Sequence, residues 1–383
     1  MRVDLRNGFI AVSALSCVFA LAGCGSSSTD GSGDTGNDAR AKTFTMSMEE
    51  ELAKSGQTVS TDFCGTKEIV LGIHDGFGNN EWSIASMAAV RSEAAKCKNV
   101  KEIVDIGEGD LQKSIAQVNS LVAQGVNALV LIPDWGEAQL ASIKSATNAG
   151  VKVVPWGADP SGDVGADYVT YVDWSAPDAG TLWAEWMVKA LNGKGNVIFL
   201  GGPAGNPVTT GQLKSAVEVF EQHPEMKLLT GSEEWAVDNW DPGQTQQVTA
   251  ALLAKYPQID GIISDYGSAT LAALRALQTA NRDLVPVATL DTNGLGCLYA
   301  EEKAGGKFQL ATISSRNWLG RVAARKAISA ATGVTNDEPS TYALPLIEDS
   351  LNGLEPKCLP DQPEDSYNSS LLSPEDITKY GTK

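Results

Sequence analysis

With 383 residues, 43% of them hydrophobic and 20% charged, the chain has globular composition and the length for two cores rather than one. A net charge of −18 argues against nucleic acid or an anionic bilayer surface as partner. Two histidines and the lack of any paired C-x-x-C unit argue against a zinc site, so no metal and no cofactor is expected.

Arg2 and Arg6 precede an apolar stretch, 9–22, that is too short to span a bilayer. Leu21-Ala22-Gly23-Cys24 follows at once and resembles the lipobox of bacterial lipoproteins, in which the cysteine is diacylated and becomes the new N-terminus. The alternative is an ordinary signal peptide cut nearby. Both export the protein, and only the lipobox anchors it. Cleavage before Cys24 leaves 383 − 23 = 360 residues. Residues 25–37 are Gly, Ser, Thr, Asp and Asn and read as a flexible tether, while 44–61 takes no function.

From residue 68 onward apolar strands alternate with amphipathic helices. Residues 69–73 are the first buried strand, running into a loop with Asp75, Phe77, Asn79, Asn80 and Trp82. Residues 100–106 are the second strand. Asp110 caps a helix whose stripe Leu111, Ile115, Val118, Val122 ends at Gly125. Residues 127–132, 151–156 and 167–172 read as three more strands. The pattern restarts after Asp173, with Pro177 in the first turn of a helix whose Trp183 and Trp186 fall at core positions. Strands follow at 196–200, 226–231, 261–264, 285–290 and 309–314, with helices between them and a last helix at 319–331. So many strand–helix units are too many for one sheet, and two doubly wound parallel-sheet lobes of Rossmann-like α/β type are the economical answer. Residues from 355 are Pro-, Asp- and Ser-rich and read as a loose tail pinned by Cys358.

Cys17 leaves with the signal and Cys24 carries lipid, so Cys64, Cys97, Cys297 and Cys358 remain in an exported chain. Three pairings exist. Cys64–Cys97 is favoured, because Cys64 lies just before the first strand and Cys97 ends the helix that returns along it; Cys297–Cys358 follows by elimination.

No nucleophile elbow, P-loop or paired acid spacing marks an enzyme. Gly201-Gly202-Pro203-Ala204-Gly205 follows a strand and reads equally as a sharp turn. The tryptophans are more informative. Trp82, Trp135, Trp156 and Trp240 sit at or just past strand ends, alongside Asp134, Asp159 and Asp241. Indole faces stack on sugar C–H faces while carboxylates and amides take the hydroxyls.

The landmarks in order, I-V-L-G-I…N-N-E-W, Gln124-Gly125-Val126-Asn127-Ala128-Leu129, Gly193-Lys194-Gly195-Asn196-Val197, Trp240-Asp241 and Ala311-Thr312-Ile313, resemble the type I periplasmic binding proteins of sugar ABC importers, the ribose-binding-like group. The resemblance runs from about residue 67 to residue 347. It implies two lobes joined by a three-stranded hinge: 65–172 with 316–342, and 173–315 with 343–358. Residues 24–64 form the lipidated tether and 359–383 the tail. It implies that Asn80 bonds a hydroxyl, that Trp82 and Trp240 face each other across the ring, and that Asp291 accepts hydroxyl donors. Phe77 and Asn79 become supporting positions and His74 structural. Gln212 falls where relatives carry an arginine and Tyr266 where they carry an asparagine. Trp156-Gly157-Ala158-Asp159 replaces an Asp-Arg pair. These departures remove an expected charged contact and set the chain apart from a ribose site. Ser315 and Arg316 fall at the third crossing; Arg316 compensates for the lost arginine or serves a hinge salt bridge. The implied protein is a monomeric, lipid-anchored, extracytoplasmic binding protein. It takes a monosaccharide and delivers it to an ABC permease and its ATPase, or else presents it to a signalling receptor. No catalysis and no nucleic acid are implied.

Overall fold

The computed structural model describes residues 62–381 except 79, 173, 307, 343 and 371. Cys24, the tether up to residue 61 and Asn79 therefore lie outside the described residues; the last tether residues are instead held in the first lobe, Phe63 buried in its core and Cys64 in a disulfide.

The first sheet is made of β1 (Ile69–Asp75), β2 (Val100–Ile106), β3 (Ala128–Ile132) and β4 (Lys152–Pro155) in the order β2-β1-β3-β4, all parallel. β1 and β3 are central and apolar. All five residues of β3 are buried, as a strand covered on both faces requires. Helices α1 (Glu81–Ala94), α2 (Leu111–Ala123) and α3 (Glu137–Asn148) connect these strands. Asn80 and Asp110 cap the first two, accepting from Ser83 N and Lys113 N.

The second sheet runs β11-β10-β9-β8-β5-β6, with β7 beside β5. Its strands are β5 (Gly195–Gly201), β6 (Met226–Leu228), β7 (Ala236–Val237), β8 (Gly261–Ser264), β9 (Val287–Leu290), β10 (Leu310–Ile313) and β11 (Leu346–Asp349). All pairs are parallel except β10–β11. The helices are α4 (Ala176–Ala190), α5 (Pro207–Glu221), α6 (Pro242–Lys255), α7 (Gly267–Thr279), α8 (Asn293–Glu302), α9 (Leu319–Thr332) and α10 (Pro374–Tyr380). Among them, α4 packs on α5, β9 and β10, whereas α9 returns to pack on α1, β3 and β4. The chain thus passes between the sheets after Val172, at 314–318 and again between α9 and β11. Trp183 and Trp186 are buried core, their indoles donating to Thr289 O and Asp349 Oδ1 at 3.2 and 2.8 Å.

Three expectations change. Residues 167–172 do not form a ladder strand; they make isolated bridges, Val164 to Tyr168 and Trp156 to Val172. The cause is local: the Asp167 carboxylate takes Asp163 N and Lys144 Nζ, folding the start of the stretch into a loop. Residues 285–286 precede β9, where Pro286 has no N–H for a ladder. Residues 359–381 are not loose: they carry a turn of 3-10 helix at Asn368–Ser370 and the helix α10. The cysteines pair as Cys64–Cys97 and Cys297–Cys358, with Cα–Cα separations of 5.2 and 4.4 Å.

Candidate functional site

In a wound parallel sheet the connections split to opposite faces where the strand order reverses, and a crevice opens at the carboxyl ends there. That point lies between β1 and β3 in the first sheet and between β5 and β8 in the second. The loops after these four strands face one another and line a common cavity.

After β1, the Asp75 carboxylate accepts from Phe77 N and Gly78 N, both at 2.8 Å, and from Ser83 Oγ at 3.3 Å. This closed turn presents Phe77 and Trp82 to the cavity with Asn80 between them. Asn80 Oδ1 caps α1, so its NH₂ is the group left for a ligand. Ile132 ends β3 and Asp134 follows it; after β4 come Gly157 and Ala158. Trp135 stacks on Phe77 from behind, ring centroids 5.9 Å apart and nearly parallel.

The opposite wall is assembled over longer range. Trp240 has φ 54°, a left-handed backbone rare for a bulky residue, stabilised by its N–H donating to Asp238 Oδ1 at 2.9 Å. Its indole lies against Gly202, where a Cβ would come within 2.3 Å of the ring. The glycine-rich turn thus makes room for an aromatic wall. Trp240 Nε1 donates to Asp265 Oδ1 at 2.9 Å, and Thr209 Oγ1 donates to Asp265 Oδ2. Tyr266 follows, its hydroxyl donating across the cleft to Glu81 Oε2 at 3.1 Å. Asn206 Nδ2 donates to Asp134 O at 2.9 Å, and Phe77 meets Trp240 edge-on at 5.1 Å. The walls touch, so the cleft is closed.

Arg316 enters from the crossing between β10 and α9, also at positive φ, 62°. Its guanidinium stacks on Trp174 at 4.1 Å and on Trp82 at 5.0 Å. It is 6% exposed, yet Nε and Nη1 have no hydrogen-bond partner among the described residues. Burial pulls it down to about 10, opposed by the charge of Asp265 and other acidic groups including Asp134, so it stays protonated at neutral pH. Asp134 Oδ2 is likewise buried and unpartnered. Burial pushes the Asp134 carboxyl well above the usual carboxylate range; Asp75 adds to this and Arg316 offsets it. Burial also raises Asp265, to about 6, against the hydrogen bonds from Thr209 and Trp240. Unpartnered buried groups of this kind are costly unless something fills them. The cavity therefore offers a cationic donor, buried acceptors and aromatic faces.

Of the residues singled out from sequence, Asn80, Trp82, Trp240, Tyr266 and Arg316 converge on the cavity. Six do not line it. Trp135 backs Phe77. Trp156 is 1% exposed and packs behind Trp82, centroids 5.8 Å apart, as core. Asp159 is exposed and holds a turn through Ser161 N. Gln212 lies one helical turn beyond the cavity residue Val208, fully buried, with neither side-chain polar atom partnered among the described residues. Asp291 is occupied by Ser315 N, Ser369 N and Ser369 Oγ at 2.7, 2.8 and 2.7 Å. Ser315 is fully buried in that same network, and its carbonyl accepts from Trp82 Nε1 at 2.7 Å. Asp241 caps α6. Phe77 moves from support to wall. Asp265 escaped the sequence reading and Asp134 was grouped only by position, although an Asp just past the end of a buried strand was the available signal for both.

Two wound lobes closed over an aromatic and acidic cleft define a bilobal α/β protein of the hinge-binding class. The chain belongs to the periplasmic binding protein family: the profile described as "Periplasmic binding protein domain" matches residues 75–334. It is 27% identical over 227 residues to the xylitol-binding protein of Mycolicibacterium smegmatis, covering 57% of this chain and 62% of that one. It is 32% identical over 151 residues to a galactofuranose-binding protein of Escherichia coli, covering 39% and 46%. The chain thus spans under two thirds of the length of these curated relatives. Among solved structures it is similar to the periplasmic binding component of an arabinose ABC transporter from Shewanella sp. ANA-3, with TM-score 0.64, 18% identity and coverage of 75% and 94%. It is also similar to a solute-binding protein from Bacillus halodurans with bound myo-inositol, with TM-score 0.62, 20% identity and coverage of 84% and 99%. These structural likenesses concern the fold.

Proposed function

We propose that the chain is the solute-binding lipoprotein of an ABC importer. It captures one small polyhydroxylated solute, a monosaccharide or polyol, between its lobes and delivers it to a permease driven by an ATPase. The observation that carries this reading is Arg316: a buried guanidinium with two nitrogens that find no partner among the described residues, stacked between two indoles and facing Asp134 and Asp265. A neutral polyol supplies hydroxyls that accept from Arg316 and donate to the carboxylates, while Phe77, Trp82 and Trp240 cover its C–H faces. Asn80 and Tyr266 add polar contacts. The relatives named for xylitol and galactofuranose support this ligand class. Residues 65–172 with 316–342 act as one lobe and 173–315 with 343–358 as the other. Ligand touching both stabilises the closed form by its differential contacts. Cys24 anchors the mature chain outside the cytoplasm, where it works as a monomer. No catalytic step and no nucleic-acid partner is assigned.

A thermal-shift screen of pentoses, hexoses, polyols and amino acids tests this. A true ligand at a hundredfold excess over Kd should add about 2.7 kcal/mol of stability. A response confined to amino acids or nucleosides would overturn the sugar reading.

A further inference from the structure

The chain beyond residue 358 is built into the back of the cleft. Cys297–Cys358 fixes its start to α8. Asn293 on α8 donates its side-chain amide to Leu359 O, Gln362 O and Pro363 O at 2.9, 3.0 and 3.2 Å, and accepts from Leu359 N at 2.7 Å. Gly294 and Gly296 let the segment lie flush: a Cβ at Gly296 would come within 2.0 Å of Lys357 O. Farther on, Tyr367 is buried with Tyr266 and Ala269 from one lobe and Ala85 from the other. The segment then ends on the first lobe, where α10 packs on α1 and Arg91 Nη1 donates to Tyr380 O at 2.9 Å. It is a fourth passage between the lobes.

Between these anchors, one hydroxyl gathers the crossing that carries Arg316. Ser369 Oγ donates to Asp291 Oδ1 at 2.7 Å and accepts from Ser314 Oγ at 2.8 Å and Ser315 N at 3.0 Å. Ser314 Oγ in turn accepts from Arg316 N at 3.1 Å and Trp318 Nε1 at 3.3 Å. The left-handed turn at Arg316 is unfavourable for this side chain and needs its neighbours to fix it.

We propose that Ser369 is a positioning residue for the ligand cleft: it locks the 314–316 crossing so that Arg316 points into the cavity, and it ties Asp291 outside it, making the C-terminal segment a determinant of which solute binds. This deepens the proposed function and rests on it. Asp291, the carboxylate that the family resemblance places on the ligand, is tied up outside the cavity here, and the residue that ties it belongs to the tail.

The test uses the full-length chain and its Ser369→Ala and Ser369→Thr variants. Isothermal titration is run against D-xylose, L-arabinose, D-ribose, D-galactose, xylitol and myo-inositol, and hydrogen exchange on the ligand-free proteins. Ser369→Ala should lower affinity for the preferred solute at least tenfold and reorder the panel, and Ser369→Thr should restore both. An unchanged affinity profile for Ser369→Ala overturns the proposal. In the exchange arm, peptides spanning 314–316 and 366–370 should be protected in the wild-type chain and lose protection together in Ser369→Ala. Exchange within seconds across 359–381 of the wild-type chain overturns the proposal without any ligand. Failure of the wild-type chain to bind any panel member would instead sink the reading of the cleft as a sugar site, and the exchange arm still decides whether the C-terminal segment locks the crossing.

Discussion

The two walls of the cleft are made in different ways. The wall after β1 is local: nine consecutive positions from Asp75 to Ser83 contain its carboxylate, the three donors that carboxylate collects, its cap and two of its rings. The facing wall draws on Gly202, Thr209, Asp238, Trp240 and Asp265, with Tyr367 from the tail packed behind Tyr266. It places Trp240 at positive φ and buries two acids, Asp238 and Asp265, whose charges oppose each other. A local wall is preformed at small entropic cost, whereas a long-range wall exists only when the whole lobe is folded. The first therefore acts as a rigid template and the second as the part whose stability and chemistry are poised. Arg316 stands at the seam between them.

Breaking the seam should have the largest effect. Arg316→Met keeps much of the stacked volume and removes the charge. It should cost about 3 kcal/mol or more in ligand binding, roughly a hundredfold. The same change should leave ligand-free stability unchanged or higher, because an incompletely partnered buried cation is itself unfavourable. Titration calorimetry beside urea melts measures both, and wild-type affinity in the variant would remove Arg316 from the site. Trp240→Ala comes next, with about 2 kcal/mol lost from binding and a smaller loss of apo stability, since the ring is only half-buried. Equal losses would make it packing rather than wall.

How much of this was legible follows the same division. Buried runs such as Ala128–Ile132 declared β3, and the stripe ending at Gly125 declared α2, because periodicity and stops are local signals. Asn80 and Trp82 were readable for the same reason. Position at a strand end, however, does not say which way a ring faces: Trp135 and Trp156 satisfy that rule and sit behind Phe77 and Trp82. The strand-end position of Asp265 is a local signal, but its role in the wall is not, because its partners, Thr209 and Trp240, lie 56 and 25 residues away. The tail misled through composition. Its polar sequence cannot make a core, and what orders it is a docking surface around Asn293, Gly294 and Gly296 that the tail's own residues do not announce.

The poised wall should also show in pH. The Asp265 carboxyl is raised from an ordinary 3.8 to about 6 in the fold, mainly by burial. The folded chain then holds more protons than the unfolded chain between those values, so this group's contribution is full below the lower value and lost as pH rises through about 6. Asp265→Asn, which stays neutral, should flatten that part of the stability profile and gain on the order of 2 kcal/mol over wild type at pH 7 to 8. Urea melts from pH 4 to 8 measure it, and a profile parallel to wild type would mean that Asp265 is not the group titrating. The same variant should bind ligand less well, since it loses a charged acceptor.

The smallest effect belongs to the local wall, and there two roles of one side chain can be separated. Asn80 Oδ1 accepts from Ser83 N at 2.8 Å and caps α1, while its NH₂ borders the cavity. Asn80→Ala removes both groups, and should cost about 1 kcal/mol of stability through the cap and a similar amount of affinity through the donor. Asn80→Asp keeps an acceptor at a helix N-terminus, where negative charge is favoured, so stability should hold. It supplies no NH₂, and affinity should fall as far as in Asn80→Ala. Thermal melts and titrations of the two variants side by side decide between these roles. If Asn80→Asp binds like wild type, Asn80 is a cap only, and the template wall works through Phe77, Trp82 and Asp134 alone.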